Sequence, residues 1–331
     1  MRDVAALAGV AVGTVSNALN APQRVAPQTR RRVQAAIAEL GWVRNESARQ
    51  LRAGSSMAIG IVVMDIGNPF FTDVIAGVEE FCYDRGLSVH VGNSDQRPDR
   101  QDMLLRRLEE QRVRGVILAP IGQRGDVAGI APRTTPVVLV DRVHDPNHCC
   151  VGVDDVSGGR LAARHLLDHG HRRIAFAGKL GAFAQADDRW RGAAQAVEGV
   201  AGSALRVVET PAHNIESGVD SAVWLAALPP DERPTAVFAA NDLIAIGLLQ
   251  GFTTAGLAVP GDIAIIGYDD ISFAAAAAVP LSSIHQPRGQ MGAEAAALLW
   301  KEIEDRQAGE RHAHRTLVLQ PHLVARRSTA A

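Results

Sequence analysis

The sequence predicts two folds in series. An N-terminal all-α helix-turn-helix headpiece with a short hinge helix comes first, followed by an α/β core of two doubly wound parallel-sheet lobes. Three observations carry this. Residues 9–20 read GVAVGTVSNALN, a glycine-containing turn leading into a short amphipathic helix. Residues 1–54 hold eight basic and three acidic groups, a balance of +5, and the remaining 26 basic and 33 acidic groups leave −7. From Ala58 onward, short apolar runs alternate with helix-length segments, the pattern of parallel βα units. A basic head on an acidic body is the asymmetry of a nucleic-acid-binding module with a separate function behind it.

The chain has 331 residues, 47% hydrophobic and 21% charged, enough for two or three globular domains. It has no long apolar run and no cationic–apolar–cleavage pattern at its start, so a cytoplasmic protein without a membrane segment is expected. The three cysteines, Cys82, Cys149 and Cys150, are odd in number and include an adjacent pair. They suit a reducing compartment rather than a disulfide framework and match no metal spacing. No metal or other cofactor is expected.

In the head, residues 3–8 form a first helix and residues 12–19 a second, with Val12, Val15, Ala18 and Leu19 at helical spacing. One face of helix two packs on helix one, and the other is free to enter a DNA major groove. Pro27 opens a third helix over residues 27–40, with Val33, Ile37 and Leu40 as its apolar stripe and Gly41 to end it. Arg30, Arg31 and Arg32 at its start suit phosphate contact. Residues 44–54 read RNESARQLRAG, with Asn45 as cap and Ala48 and Leu51 on one face. A helix this short is unstable alone in water. Leu51 has no obvious core to enter, so a helix formed on DNA could push it between base steps in the minor groove.

In the body, residues 58–64 are a continuous apolar run suited to a buried parallel strand. Asn68-Pro69 reads as N-cap and first helical residue of a helix to about residue 83. Strands at 87–92, 115–119, 137–140 and 150–153 follow, with a helix at 98–111. A helix at 156–167 then opens on Asp154 or Asp155. The next strands are at 173–177, 205–209, 236–239 and 263–268, separated by helices at 189–197, 215–228 and 241–255. A short helix at 274–278, a helix at 290–304 and two short C-terminal strands complete the chain. Asp65, Asp141, Asn241 and Asp269 each lie just past the carboxyl end of a strand, where open α/β sheets bind ligands. Carboxylates and an amide converging on one crevice suit a ligand with many hydroxyls. Phe70 and Phe71 can supply an apolar face for a sugar ring.

DVAALAGVAVGTVSNALN and RVAPQTRRRVQAAIAELGWVRNESARQLRAG resemble the headpiece and hinge helix of the LacI/GalR family of bacterial transcription regulators. IGIVVMDIGNPFF, VLVDR, HLLDHGHRRIAFAG, DRWRG, AANDLIAIG, IIGYDD and SSIHQP extend the resemblance over nearly the whole chain. The resemblance implies a core like that of periplasmic sugar-binding proteins. It places Val12, Gly13 and Asn17 at base edges, Thr14, Ser16 and Arg30 at the backbone, and Leu51 as a minor-groove wedge with Ala48 beside it. It places effector contacts on Asp141, Arg189, Asn241 and Asp269, with Asp65, Phe70, Phe71 and His213 lining the cleft. His213 stands where relatives more often carry an aromatic residue, which weakens stacking. Gly13 offers no side chain, so base readout is thinner than in relatives with a polar residue there.

The sequence departs from the family at its helix starts. Ala11 and Ala26 stand where relatives carry a serine cap, and each loss costs about 1 kcal/mol. The usual cap of helix one would precede Met1. A marginally stable headpiece that orders on DNA is therefore expected, and a start codon further upstream. Three other patterns carry no site, and one of them, Cys149-Cys150, reads as a strand start. His165, His169 and His171 have metal-like spacing but fall at a family helix–strand turn. Asp187-Asp188 and Asp269-Asp270 lack the partner geometry of a glycosidase. No Gly-x-Gly-x-x-Gly follows the first strand, so an enzyme is not expected.

The implied protein is a repressor of a carbohydrate-utilisation operon, relieved or engaged by a small sugar. It binds a near-palindromic double-stranded DNA operator as a homodimer and lacks a leucine-heptad tail. The expected divisions are a headpiece at 1–44, a hinge at 45–54 and a core at 57–331. Within the core, 57–154 plus 286–315 form one lobe and 155–285 plus 316–327 the other. The alternative is a sugar-binding receptor of a transport system, which would have no use for residues 1–54.

Overall fold

The computed structural model describes residues 1–42, 56–122 and 135–330. The chain divides into two compact units, Met1–Ser56 and Met57–Ala331. The expected hinge helix, with Ala48 and Leu51, lies outside the described residues.

The first unit contains α1 (Arg2–Ala8), α2 (Val12–Asn20), a 3₁₀ turn at Pro22–Arg24 and α3 (Pro27–Glu39). Gly9 adopts φ 62°, and its left-handed geometry ends α1. Val4, Ala5, Ala8, Val15, Val33 and Ala36 make the small core. None of the three helices has a side-chain cap: Met1, Ala11 and Ala26 stand at the N-cap positions without such a bond. Leu40, expected on the apolar stripe, is 44% exposed.

The second unit has two six-stranded sheets. In the first lobe, β1 (Ala58–Val63), α4 (Pro69–Tyr83), β2 (Ser88–Asn93), α5 (Pro98–Glu110), β3 (Val116–Leu118), β4 (Val137–Val140) and β5 (Cys149–Val153) run in sequence. The chain then crosses to the second lobe. There it builds α6 (Asp155–Asp168), β6 (Arg173–Gly178), α7 (Ala184–Glu198), β7 (Ala204–Glu209), α8 (Ile215–Ala226), β8 (Ala236–Ala239), α9 (Asp242–Thr254), β9 (Ala264–Asp269), α10 (Ser272–Ala276) and β10 (Ser282–His285). It returns for α11 (Arg288–Gln307) and β11 (Thr316–Leu319), and crosses a third time for β12 (His322–Val324). The strand orders are β11-β5-β4-β3-β1-β2 and β12-β10-β9-β8-β6-β7. All pairs are parallel except β10 with β12. Strands β1, β3, β4, β5, β8 and β9 are buried throughout, which is why they read as unbroken apolar runs.

Three sequence expectations need correction. The third crossing falls after residue 319 rather than 315, because Thr316 to Leu319 pair in register with Cys150 to Val153. Strand β10 was not anticipated: its four residues, Ser-Ser-Ile-His, carry little strand propensity and are held by β9 and β12 on either side. Helix α7 begins at Ala184, five residues before the expected start, because its N-cap, Phe183, leaves no capping signal.

Paired helices approach through glycine. A Cβ on Gly192 of α7 would strike the Val156 carbonyl oxygen of α6, and one on Gly159 would strike that of Arg189. Gly77 and Gly292 fit α4 to α11, and Gly218 and Gly247 fit α8 to α9, with equally close backbone approach.

Candidate functional site

The carboxyl ends of the two sheets face one another across a cleft whose empty space, open solvent included, is about 420 Å³, at the strand ends where open α/β sheets bind ligands. All eight residues expected to meet an effector lie on its wall: Asp65, Phe70, Phe71, Asp141, Arg189, His213, Asn241 and Asp269. Helix caps put several of them there. Asn68 Oδ1 accepts the Phe70 N–H at 3.0 Å, which starts α4 with Phe70 and Phe71 in its first turn. Their rings meet edge to face at 4.9 Å. Asn241 Oδ1 caps α9 through the Ile244 N–H at 3.0 Å, and its Nδ2 donates to the His213 carbonyl at 3.3 Å.

Arg189 is the electrostatic centre. It is 4% exposed. Its Nε donates to Asp155 Oδ1 at 2.8 Å and its Nη1 to the Ala240 carbonyl at 2.7 Å. Nη1 also lies 3.9 Å from Asp269 Oδ1, and the guanidinium sits 3.8 Å over the Tyr268 ring. Burial opposes its charge, but Asp155, Tyr268, Asp269 and Asp141 outweigh that and raise its pKa above the ordinary value. The carboxylates pay the converse penalty. Burial pushes Asp141 up to about 8, against the pull of Arg189 and with repulsion from Asp155 and Asp269. Burial likewise lifts Asp269 to about 6, opposed by Arg189 and by hydrogen bonds from Gln286 and Asn68. Asp155 is raised by the same desolvation.

Asp141 and Asp269 both have left-handed backbones, at φ 58° and 104°. That conformation is uncommon outside glycine and recurs at functional sites. Asp141 Oδ2 accepts from Gln185 Nε2 at 3.0 Å, whereas its buried Oδ1 accepts no hydrogen bond. Asp269 Oδ1 accepts from Gln286 Nε2 at 2.7 Å. His213 Nε2 accepts the Lys179 N–H at 3.2 Å, and its ring lies 4.7 Å from that of Phe183. Burial, with Arg189 and Lys179 nearby, lowers His213 to about 3, so it is neutral at physiological pH. Asp65 Oδ1 accepts the Gly67 N–H at 2.8 Å at the mouth of the cleft.

Sequence reasoning missed Met64, Gln96, Phe183 and Gln185 on this wall, and took Asn68 only as a cap. Gln185 was hidden by the late start assigned to α7. Gln96 follows β2 on a left-handed residue of φ 54°, a feature with no sequence signature in glutamine. The discounted histidines have separate partners: His165 pairs with Thr329 at 2.7 Å, His169 with its own helix carbonyl at 2.8 Å, and His171 with Thr235 at 3.0 Å.

In the headpiece, Val12, Gly13 and Asn17 are exposed on α2, Thr14, Ser16 and Arg30 are half-buried, and Val15 is wholly buried. Helix two thus keeps one face in the core and offers the other, as a groove-reading helix does.

Residues 1–45 match the family described as bacterial regulatory proteins, lacI family, and residues 163–329 match the periplasmic binding protein-like domain. An HTH-type transcriptional repressor PurR of Photobacterium profundum is 32% identical over 99% of this chain and 98% of its own. The chain belongs to the LacI family. It is a DNA-binding transcriptional repressor with a ligand-binding core, and its relatives are regulators rather than enzymes. Two solved structures agree in fold. A complex described as transcriptional regulator CelR with cellobiose is 32% identical, with TM-score 0.70 over 99% of this chain and 98% of the other. The lac repressor dimer bound to operator and the anti-inducer ONPF is 26% identical, with TM-score 0.80 over 99% and 98%. The match at residues 1–45 sets aside the transport receptor without a DNA function. Among the described residues, no helix is long and apolar enough to cross a membrane.

Proposed function

We propose that this LacI-family repressor answers to a neutral, hydroxyl-rich small molecule of the sugar class, bound between its lobes. The observation that carries this is Asp141: a carboxylate 7% exposed, on the cleft wall, with an Oδ1 that accepts nothing. Burial keeps this carboxyl largely protonated near neutral pH, and sugar hydroxyls, which both donate and accept, would satisfy Oδ1 in either protonation state. Among the described residues of the cleft wall Arg189 is the one arginine or lysine, and it is already engaged by Asp155 and faced by Asp269. An anionic effector would find no uncommitted cation on that wall, so phosphorylated sugars are disfavoured. Phe70, Phe71 and Phe183 supply apolar wall for a pyranose or furanose face. The cellobiose in the complex described for CelR is a molecule of the same chemical class, bound by that protein.

The regulated genes would then serve carbohydrate use. The repressor would act as a homodimer in the cytoplasm, one headpiece per half of a near-palindromic operator. Val12, Gly13 and Asn17 would meet base edges, with Thr14, Ser16 and Arg30 at the phosphates. Paired hinge helices would insert Leu51, with Ala48 beside it, in the minor groove. The effector would favour one lobe arrangement and shift the hinge equilibrium, with a coupling of about 1–3 kcal/mol. Fluorescence anisotropy on DNA from upstream of the gene, at fixed salt, tests this. The panel is neutral sugars, sugar phosphates and nucleobases. One neutral sugar should change operator affinity, and Asp269→Ala should keep DNA binding while losing that change. A response to a nucleobase or a sugar phosphate alone would overturn the sugar reading.

A further inference from the structure

At the end of the first sheet opposite the cleft, three separate segments bring together a thiol, a carboxyl and two imidazoles. Cys149 starts β5, Glu302 lies in the last turns of α11, and His312 and His314 lie in the connection to β11. Their donor atoms all fall within 4.8 Å of one another. Cys149 Sγ is 3.2 Å from His312 Nε2 and 3.9 Å from His314 Nδ1. A tetrahedral zinc with ordinary Zn–S and Zn–N bonds sets sulfur and nitrogen about 3.6 Å apart, and the two observed distances bracket that value.

The surroundings are those of a ligand set. Asp305 Oδ2 is 2.7 Å from His312 Nδ1. That pairing holds the proton on Nδ1 and leaves the Nε2 lone pair facing the sulfur, as in carboxylate–histidine–metal arrangements. The Arg315 backbone N–H donates to Cys149 Sγ at 3.3 Å, a bond that supports a thiolate. Glu302 is 1% exposed; its Oε1 accepts from Arg306 Nη2 at 2.8 Å, while its Oε2 accepts nothing. An S–H···N bond between Cys149 and His312 would explain that one contact. It leaves the buried, half-satisfied carboxylate without a reason, beside a His314 ring that meets His312 edge to face at 5.3 Å and keeps Nδ1 near the sulfur.

We propose that Cys149, Glu302, His312 and His314 form a site for one divalent transition-metal ion of the zinc type. A thiolate with two imidazoles selects such ions over magnesium and calcium. Uptake releases the thiol proton to solvent as the metal–sulfur bond forms. The bound ion ties the segment before β11 to the start of β5, pinning the edge strand from which the chain leaves for its third crossing.

The test uses the full chain, stripped with a chelator and titrated with Co²⁺ and then Zn²⁺. One equivalent of Co²⁺ should give a thiolate-to-cobalt charge-transfer band and the strong visible bands of four-coordinate cobalt. Zn²⁺ should displace it and raise the melting temperature. Cys149→Ser should abolish the charge-transfer band. His314→Ala, at an exposed side chain, should weaken binding at least tenfold and keeps the test open should the Cys149 variant fail to fold. His169→Ala, in the other lobe, should bind as the parent does. Absence of stoichiometric uptake, or uptake unchanged in His314→Ala, would overturn the proposal.

Discussion

Among the described residues, no helix of the headpiece starts on a side-chain cap, whereas four of the eight helices of the core do. In the headpiece, α1, α2 and α3 begin at Met1, Ala11 and Ala26, and none has a side-chain cap. In the core, Asn68, Asp154, Asn214 and Asn241 each accept a backbone N–H at a helix start, and Asn68 and Asn241 also line the cleft. The two units also treat glycine differently. A Cβ on Gly13 would meet nothing within 4 Å, whereas one on Gly192 would meet the backbone of α6. The core is pre-organised by close backbone contact around buried charge, with caps at the helices that bring Asn68 and Asn241 to the cleft. The headpiece rests on six small buried residues and leaves the exposed face of α2 to a partner. A ligand cleft must hold its geometry before the ligand arrives, while a DNA-reading unit can complete its folding on the operator.

The largest effect expected from this contrast is at Gly192. Gly192→Ala must part α6 from α7 and should cost on the order of 3 kcal/mol in urea unfolding of the core transition. An unchanged midpoint would mean that the helix pair has slack and that the contrast with Gly13 is false.

Next is the pH dependence of the effector-free core. Asp141 and Asp269 are raised to about 8 and about 6, above the ordinary carboxylate value of about 4. Between those values the folded state binds protons that the unfolded state has released. Stability from these groups is therefore complete below about pH 4 and falls as pH rises toward 8, by up to about 1.4 kcal/mol per unit per proton. Asp141→Asn should make the melting-temperature profile less steep between pH 6 and about 8, because it removes one of the raised carboxyls. The same slope in parent and variant would remove Asp141 from the account.

Smaller gains should come from the headpiece. Ala11 and Ala26 have extended N-cap backbones, at ψ 151° and 140°, so Ala11→Ser and Ala26→Ser should each add about 1 kcal/mol. Amide exchange in α2 and α3 reads this in the full chain; unaltered protection would show that caps do not limit this unit. Gly13→Ala should add about 0.5–1 kcal/mol by the same readout, and a loss there would mean that α2 is more constrained than its open surroundings indicate.

Much of this was legible in the chain. The buried strands announced themselves as apolar runs, and Asn68-Pro69 and Asn241 as helix starts, because both signals are local. Asp141 and Asp269 were found because strand ends in α/β sheets have a fixed meaning. What escaped was set by the fold rather than by neighbours in sequence. Gln185 enters the cleft only because α7 begins at Ala184. The exchange of β11 into the first sheet depends on its pairing with β5. Cys149 fitted no metal spacing because its neighbours His312 and His314 come 163 and 165 residues later.

The glycine contacts between helices have a mechanical consequence. Helices that touch backbone to backbone cannot slide along one another without collision, so each lobe should behave as a stiff body. Any opening or closing of the cleft must then be taken up by the three short connections after Val153, His285 and Leu319. One of these is already braced. Arg288 donates to the carbonyls of Asp269 and Asp270 in the second lobe and reaches Asp73 in the first at 2.8 Å. Small changes at the Asp269 carboxylate therefore act beside a pivot, where a slight rotation becomes a large displacement at the far ends of both lobes.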